Sequence, residues 1–404
     1  MIDPRLPLEL LGGLTPQQFM RRHWQRKPLL IRQAIPDFRP PLSLAELRQL
    51  ARRDEVESRL IWRDEKGWHL KHGPFNRLPS AKKPGWTLLT QSVDLHDDDT
   101  AELMHRFRFL PDSRLDDAMI SIASDGGGVG PHFDSYDVFL LQAHGQRRWR
   151  ISAQRDLSLE PDLPLKVLSR FTPEEEYVLN PGDMLYLPPH IAHDGIAIGD
   201  CMTISIGFRT PTLASLAGGL LEAAADQMAA RHGEDGGIYG VPALPGARLP
   251  GRYRDAGQPA TAHPAALPEA LISQTLALGQ RIAFDEPLVA RYLGIWLSEP
   301  AGSALFDPPE QALDLNLQVP RHGELVLDRC TRLLYHGREL YINGEVAPLP
   351  AAEALCQLAD HRRLSLSGPR RPRLTRAQRE LLTDWLAAGW IHYQESDHST
   401  PHDA

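Results

Sequence analysis

The chain is 404 residues long, 42% of its residues are hydrophobic and its formal net charge is −8. This length allows two or three domains, and the negative charge argues against a protein that coats nucleic acid and favours a cationic partner. Its three cysteines, Cys201, Cys330 and Cys356, form no C-x-x-C pair, which argues against a zinc or disulfide framework and indicates a reducing compartment. Because there is neither a signal-peptide pattern nor an apolar run of membrane length, we expect a soluble, cytoplasmic protein without a membrane partner.

Helix-capping signals and short strand patterns fill the first part of the chain. We expect helices after Thr15, which precedes a proline, after Ser43, and after Asp97, where an acidic run suits the positive end of the helix dipole. A buried strand is predicted at 28–31. Between residues 57 and 90, large apolar residues occur at alternate positions, and glycines separate these runs. This pattern predicts further short strands.

A series of short strand patterns joined by glycine and proline turns occupies residues 118–209. This combination is typical of a jelly roll, in which inward-facing residues alternate with residues that cover the outside. The predicted strands are MISIAS (119–124), DVFLLQA (137–143), RRWRIS (147–152), the segment 176–179, DMLYLP (183–188) and CMTISIGF (201–208).

The stretch 126–151 contains a His-x-Asp pair, His132 and Asp134, in a segment that we interpret as a β-hairpin. Residues two apart on a strand project from one face, so the imidazole and the carboxylate would point at one spot. A third candidate follows at His193 or at His190, and spacing alone does not choose between them. An isolated H-x-D triplet is more often a pair of surface residues. Two histidines and one carboxylate with open positions, however, form the ligand set of non-haem Fe(II) oxygenases.

Arg147 shares its strand parity with Trp149 and Ile151, whereas the residues between them are polar and suit a solvated face. This parity places Arg147 among the inward residues. A buried arginine is costly unless it meets an anion, and its planar guanidinium suits a carboxylate. The pattern therefore indicates either a structural ion pair or a substrate or cofactor carboxylate beside the metal.

Beyond Thr210 the pattern changes from strands to helices. The alanine-rich segment 213–232 has apolar residues at helical spacing, and a further helical pair covers roughly 268–282 and 287–297. Between them, the segment 233–268 is rich in glycine and proline, and the sequence does not define its role.

A small mixed domain is predicted from about residue 301 onward. Strand patterns surround Asn343-Gly344, a strong hairpin turn. Helices are expected at 351–359 and 375–388, the second of them capped by Thr375. The strand-like segment WIHYQ closes the domain, and the polar tail from Glu395 is expected to be disordered.

Several of these motifs together resemble the JmjC-type 2-oxoglutarate oxygenases, and among them the bacterial ribosomal oxygenases in particular. That branch hydroxylates an arginine of a large-subunit ribosomal protein, number sixteen of the L series. The resemblance is strong over roughly the first half of the chain and concerns only the layout of the rest. It depends on FMRRHWQRKPLLIR (19–32), DDAMIS (116–121), GGGVGPHFDSYDVFLLQ (126–142), GQRRW (145–149) and PGDMLYLPPHIAHDG (181–195).

The resemblance implies a fold that is mainly β with α. A double-stranded β-helix (jelly roll, cupin/JmjC) barrel would form a catalytic domain at 1–210. A helical dimerisation module would follow at 211–300, although these helices could instead pack against their own barrel. A winged-helix-like domain would occupy 301–404.

The resemblance also implies roles for five residues. His132, Asp134 and His193 correspond to the ligands of Fe(II), Arg147 corresponds to the basic residue for the distal carboxylate of 2-oxoglutarate, and Ser121 corresponds to a second contact with this cosubstrate. No catalytic residue beyond the metal ligands is implied. The reaction would consume 2-oxoglutarate and O2, release succinate and carbon dioxide, and hydroxylate a ribosomal protein of the large subunit.

Alternative functions share parts of this pattern. Hydroxylation of a histidine, or demethylation, would use the same metal ligands. A metal-dependent cupin without 2-oxoglutarate is disfavoured, because the glutamate that such cupins add four or five residues after their histidine pair is replaced by Tyr136, Asp137, Val138 and Phe139. A non-catalytic binding protein is disfavoured by the intact ligand set.

An arginine substrate would need acids at the mouth of the barrel. Asp125 and Asp137 flank the His-x-Asp pair, Asp194 follows His193, and Tyr136 could offer its ring or its hydroxyl to a guanidinium. We rank Asp137 below Asp125, because strand parity directs Asp137 away from the metal unless a bulge intervenes.

A basic run lies in the last predicted domain. Such runs are usually solvated, and RNA contact is a further option, although aromatic residues for base stacking are missing. The run consists of Arg362, Arg363, Arg370, Arg371, Arg373, Arg376 and Arg379.

Overall fold

The computed structural model describes residues 2–246, 248–254, 256, 258–260, 263, 265–320, 322–368 and 371–395. The chain divides into two compact units. The first comprises Met1–Thr210 and Gly302–Leu305, and the second comprises Pro211–Ala301 and Phe306–Ala404. Arg370 and the tail beyond Glu395 lie outside the described residues.

The first unit contains three helices and nine strands among its described residues. The helices are α1 (Pro16–Arg22), α2 (Leu44–Leu50) and α3 (Asp98–His105), and the strands are β1 (Leu29–Ile31), β2 (Ser58–Asp64), β3 (Gly67–His72), β4 (Trp86–Thr90), β5 (Leu115–Ala123), β6 (Val138–Ser152), β7 (Glu175–Leu179), β8 (Met184–Leu187) and β9 (Ala192–Phe208).

The three predicted helix starts of this unit are confirmed. The hydroxyls of Thr15 and Ser43 each accept a hydrogen bond from the backbone amide three residues later, and both form complete capping boxes. The carboxylate of Asp97 accepts from the amide of Thr100 in the same way. These local bonds satisfy amide groups that a helix start leaves without partners.

All nine strands belong to one antiparallel sheet. The order is β1-β8-β6-β9-β5-β4-β2-β3, and β7 pairs with β6. The predicted class, mainly β with α and jelly-roll-like, is therefore confirmed. The strand pairings of the described residues follow an open path, however, and do not close a barrel, because β1 and β3 lie at opposite ends of this order.

Strands β6 and β9 are long, and they connect the two halves of the sheet. The first part of β6 pairs with β8, whereas its second part pairs with β7. Both parts pair with β9, with register shifts between Gln142 and His144 and between His144 and Gln146. The predicted hairpin is thus wrong: at Gly145, whose φ is 61°, the chain bends within one strand and does not reverse.

Apolar residues cover both faces of the first part of β6. Phe139 and Leu141 belong to the large core, where Phe139 contacts Phe19 of α1 and Tyr186 of β8. Leu140 lies in a smaller cluster on the other face. This double burial explains why the segment is a continuous apolar run and not an alternating one.

The second unit contains five helices and six strands among its described residues. The helices are α4 (Leu213–Arg231), α5 (Glu269–Gly279), α6 (Glu286–Ser298), α7 (Glu353–His361) and α8 (Arg376–Ala387), and the strands are β10 (Glu324–Leu327), β11 (Leu333–His336), β12 (Glu339–Ile342), β13 (Glu345–Val346), β14 (Arg363–Ser365) and β15 (Ile391–Gln394).

Two three-stranded antiparallel sheets organise this unit, in the orders β14-β10-β15 and β11-β12-β13. The predicted turn at Asn343 and Gly344 joins β12 to β13, and Thr375 caps α8 as expected. Tyr341 of β12 packs in one cluster with residues of α4 and α6, including Tyr292. Helices α4 and α6 therefore share a core with one of the small sheets.

None of the helices formed by the described residues combines the length and the apolar character that crossing a bilayer requires.

Candidate metal centre

Three side chains from two parts of the first unit meet at one point. His132 lies in the loop before β6 and forms an isolated antiparallel bridge with His193 of β9. The two backbones exchange hydrogen bonds of 2.9 and 2.8 Å, which bring the two rings to a centroid distance of 4.2 Å. The possible ligand atoms of His132, Asp134 and His193 all lie within 4.8 Å of one another.

Hydrogen bonds fix the orientation of both imidazoles. Nδ1 of His132 lies 2.9 Å from the carbonyl oxygen of Gly130, and Nδ1 of His193 lies 2.9 Å from that of Ile191. A carbonyl only accepts, so in each ring Nδ1 is the protonated nitrogen and Nε2 has the free lone pair. This arrangement is the one that metal-binding histidines use.

His190 is not part of this group. Its side chain is exposed, and its φ of 66° belongs to the left-handed region. Its backbone amide donates to the carbonyl oxygen of Asp134 at 2.7 Å. His190 therefore supports the loop of the carboxylate ligand, and the structure groups His193 with the His-x-Asp pair.

His193 is held in the uncharged form that a metal requires. Burial, and next the charge of His132, lower the pKa of His193 to about 4, although Asp134 acts in the opposite direction. Nε2 of His193 lies 3.6 Å from Oδ2 of Asp134. The indole of Trp149 covers the other side of the ring at a centroid distance of 5.8 Å.

Arg147 is buried, as its strand parity predicted, and only 4% of it is exposed. Its Nη1 is 3.4 Å from the carbonyl oxygen of Gly195 and its Nη2 is 3.4 Å from Sγ of Cys201. Neither contact is with a carboxylate, and Nε has no hydrogen-bond partner among the described residues. The guanidinium also lies over the ring of Trp149, 5.7 Å from its centroid. A buried cation whose contacts are a carbonyl, a thiol and an aromatic ring fits an anionic ligand better than a structural ion pair.

A row of buried polar side chains crosses the sheet at one register. Ser121 of β5 pairs with Thr203 of β9, which pairs with Gln142 of β6. The Ser121 hydroxyl donates to the carbonyl oxygen of Thr203 at 3.3 Å. Gln142 and Thr203 were not predicted as site residues, although a glutamine inside the apolar run of β6 is the kind of signal that could have indicated them.

The glycines before the His-x-Asp pair allow a close approach of backbones. A Cβ on Gly127 would lie 2.3 Å from the carbonyl oxygen of Trp86, and one on Gly128 would lie 2.7 Å from that of Gly195. Both distances are too short for any real Cβ. The loop can therefore lie against β4 and β9 only if these two positions have no side chain.

The acids predicted at the mouth have different surroundings. Asp137 is completely buried, and its carboxylate accepts from the hydroxyl of Tyr186 at 2.6 Å and from the amide of Gln25 at 3.0 Å. The buried carboxylate of Asp194 pairs with Arg150. The carboxylate oxygens of Asp137 and Asp194 do not face solvent. This corrects the expectation that these two acids contact a substrate. Asp125 is exposed and accepts from the amide of Gly199 at 2.8 Å.

A different acid lies near Tyr136. One oxygen of Asp117 accepts from Gln91 at 2.6 Å and from the Ser92 amide at 3.0 Å. Burial first, and then the charges of Asp134 and Asp117, raise the pKa of the Tyr136 hydroxyl. The sequence analysis missed Asp117, which shares its strand parity with Ser121.

The donor set fits a divalent transition metal. Two imidazoles with free Nε2 atoms and one carboxylate suit iron better than calcium or magnesium, which prefer oxygen ligands. The three protein ligands leave positions for other molecules, and the buried guanidinium of Arg147 suits a carboxylate of such a molecule.

Known proteins share this architecture and its sequence. The model of the JmjC domain matches residues 102–216, and the model of the ROXA-like winged helix matches residues 280–392. The ribosomal protein uL16 3-hydroxylase of Escherichia coli (strain K12) is 36% identical over 350 residues, which cover 85% of this chain and 88% of that protein. A probable ribosomal oxygenase of Haemophilus influenzae is 36% identical over 214 residues, 51% of this chain and 52% of that protein.

Solved structures agree with this relationship. An X-ray structure of YcfD from Escherichia coli has a TM-score of 0.78 and 29% identity, and the match covers 94% of this chain and 98% of that one. YcfD, a ribosomal oxygenase, in complex with cobalt and 2-oxoglutarate gives a TM-score of 0.76 at the same identity and coverage. This chain therefore belongs to the ribosomal oxygenase family of JmjC proteins and is a 2-oxoglutarate-dependent oxygenase.

Proposed function

We propose that this protein hydroxylates an arginine side chain of a large-subunit ribosomal protein in the cytoplasm. The oxygenase chemistry is supported by Arg147, a buried cation beside the His-Asp-His group that has no carboxylate partner among the described residues. The substrate class is supported by the relative named ribosomal protein uL16 3-hydroxylase, 88% of which this chain covers at 36% identity.

In this proposal His132, Asp134 and His193 hold Fe(II). When bound, the iron together with 2-oxoglutarate and O2 supplies an oxidant that converts a C–H bond of the substrate into C–OH and yields succinate and carbon dioxide. Arg147 binds the distal carboxylate of 2-oxoglutarate through its planar guanidinium, and Ser121 adds a second contact. The protein residues thus bind and orient the reactants.

Asp117 and Tyr136 form the proposed contact for the substrate guanidinium. Burial and the neighbouring Asp116 raise the pKa of Asp117. A cation that binds beside this side chain would therefore stabilise its ionised carboxylate. A Cβ on Gly207 would lie 3.2 Å from Oδ1 of Asp117 and 4.0 Å from the ring of Tyr136, so both groups border the same small space. Asp125 is a further candidate because its side chain is exposed.

The proposed reaction can be tested with peptides from the basic loops of large-subunit ribosomal proteins. Each peptide is incubated with the full-length protein, Fe(II) and 2-oxoglutarate, next to a copy in which the arginine is replaced by lysine. We expect a mass gain of one oxygen on the arginine peptide alone. Oxidation of a matched histidine peptide, or of neither peptide, would contradict the proposal.

We also propose that the protein forms a homodimer through the helices between 211 and 300. No residue of α5 is buried, although all eleven of its residues are described. Its exposed apolar side chains include Ile272, Leu276 and Leu278. An apolar helix without a covering layer fits a second copy of the same chain, because homodimer interfaces are more apolar than ordinary surfaces.

The basic run of the second unit has internal partners. Arg362 donates to the carbonyl oxygens of Thr331 and Asp328. Arg363 pairs with Glu324, and Arg376 pairs with Glu380. These bonds favour a structural role for Arg362, Arg363 and Arg376 over RNA contact.

A further inference from the structure

A change of parity within β6 is needed to bring the cosubstrate residues to one face. Val138 and Leu140 pack in the same cluster as Trp149 and Ile151. In a regular strand, even and odd residues point to opposite faces. One extra residue in the strand removes this conflict, since a shift of one residue moves every later side chain to the other face.

The extra residue of β6 lies between Gln142 and His144, where β6 has two steps and β9 has one. A second register shift, in which β9 carries the extra residues, follows between His144 and Gln146. The left-handed φ of Gly145 allows an approach in which a Cβ would lie 2.1 Å from the carbonyl oxygen of Asp200. Without this bulge, Arg147 would share the face of the large core and not that of His193, which Trp149 contacts.

The side chain of Gln142 bonds to the backbone of this bulge. It is completely buried, and its amide nitrogen donates to the carbonyl oxygen of His144 at 2.8 Å and to that of Gly145 at 3.3 Å. Bulged residues lose regular ladder hydrogen bonds. The amide of Gln142 supplies bonds to two carbonyls of this irregular segment.

The hydroxyl of Thr203 holds the other end of this amide, because it donates to Oε1 of Gln142 at 2.9 Å. A carbonyl oxygen only accepts, so the two carbonyls of the bulge keep Nε2 on their side and leave Oε1 as the acceptor for this hydroxyl. Thr203 and Gln142 are directly paired across β6 and β9, so backbone pairing holds both in place.

We propose that Gln142, oriented by Thr203, is a positioning residue that holds the β6 bulge and thereby directs Arg147 toward 2-oxoglutarate. This inference rests on the proposed role of Arg147. Under this proposal, the row of buried polar side chains affects the affinity for 2-oxoglutarate and not the binding of the metal. The hydrogen bonds of the Gln142 amide support the backbone as far as Gly145, two residues before Arg147.

The test compares Gln142→Met, Thr203→Val and Arg147→Met in the full-length protein. Thr90→Val is the matched control, because Thr90 is a buried threonine whose hydroxyl has no hydrogen-bond partner among the described residues. The dissociation constants of Mn(II) and of 2-oxoglutarate are measured without oxygen by calorimetry. Hydrogen exchange of the amides at 145–148 and thermal unfolding are followed in the same samples.

We expect 2-oxoglutarate to bind about tenfold more weakly to Gln142→Met and about fivefold more weakly to Thr203→Val, the effect of losing one or two net hydrogen bonds. Exchange at 145–148 should become faster in both variants. Mn(II) affinity should not change, and Thr90→Val should match the wild type in every measurement.

The outcomes separate this inference from the proposed function. If Arg147→Met leaves 2-oxoglutarate affinity unchanged, the proposed role of Arg147 is wrong. If only Arg147→Met weakens that affinity, the positioning role of Gln142 is wrong. Unchanged exchange at 145–148 in Gln142→Met contradicts the support of the bulge whatever the affinities are. If Gln142→Met does not fold, Thr203→Val decides by the same measurements.

Discussion

At the level of single residues, His132 and His193 are oriented in the same way. Each Nδ1 donates to a carbonyl two residues earlier in the chain. The local backbone thus presents both Nε2 lone pairs before any metal arrives. His190 is only three residues from His193, but its exposed side chain lies outside the group.

The first prediction concerns the third ligand. His193→Ala should weaken binding of Fe(II) or Mn(II) by about 100-fold or more. The loss of a residue that only hydrogen-bonds to a metal ligand already weakens metal affinity by roughly 10–100-fold. His190→Ala is the control and should bind metal like the wild type. Calorimetry without oxygen measures both constants, and a loss of metal in His190→Ala alone would reverse the assignment.

The second prediction concerns the substrate acid. Asp117→Asn should raise KM for the arginine peptide by about tenfold, the effect of losing one charge-assisted hydrogen bond, and leave KM for 2-oxoglutarate unchanged. The adjacent Asp116→Asn is the control, because the carboxylate of Asp116 is more exposed and pairs with Arg209. Steady-state kinetics decides, and equal effects of the two variants would exclude a specific contact of Asp117.

Strand parity predicted the burial of Arg147 and directed Asp137 away from the metal, but it did not predict that Asp137 is completely buried. The parity of Arg147 could be read from its neighbours, because that part of β6 alternates regularly. The partners of Asp137, Gln25 and Tyr186, come from distant parts of the chain, and no local pattern indicates them. Position beside a ligand in sequence therefore did not predict exposure to the substrate.

At the level of elements, capped helices were predictable and the bend in β6 was not. Thr15, Ser43 and Thr375 act on amides three residues away, so the signal is local. Gly145 suits either a hairpin turn or a bulge. The choice depends on β9, which pairs with both halves of β6 although the paired residues are between 40 (Ser152 and Ala192) and 69 (Val138 and Gly207) positions apart in the chain. The sequence alone does not predict this pairing.

The third prediction concerns the glycine loop. Gly128→Ala should weaken metal binding by about tenfold and lower stability by ~1–3 kcal/mol, because its Cβ would push against the backbone of Gly195. Gly126→Asn is the control: its φ of 71° is one that asparagine tolerates, and nothing lies within 4 Å of a Cβ there. Urea unfolding with and without Mn(II) compares them, and equal behaviour would contradict the role of close approach.

At the level of the whole molecule, the alternation of strands and turns predicted the fold class of the first unit. How the residues after 210 divide into domains was less predictable. The structure places 211–301 and 306–404 in one compact unit, in which Tyr341 packs with Tyr292. The two segments look distinct in sequence because one is helical and the other mixed, and composition does not show a shared core.

The fourth prediction concerns the proposed dimer. Light scattering at micromolar concentration should give twice the mass of 45.2 kDa. Leu276→Asp should shift the protein to the monomer, because it places a charge in an apolar interface. Leu317→Asp changes an even more exposed leucine outside α5 and should leave the mass unchanged. A monomeric wild type would exclude the dimer.

If the proposed dimer forms through the exposed apolar side chains of α5, the thermal stability of the protein will depend on its concentration. If the apolar side chains of a helix are buried only in the dimer, their burial stabilises only the associated chains. Dilution, which favours the monomer, then lowers the free energy of unfolding. The melting temperature should then rise with protein concentration, and Leu276→Asp should abolish this dependence. In a cell, the amount of the oxygenase that is made would help to determine how long each copy stays folded.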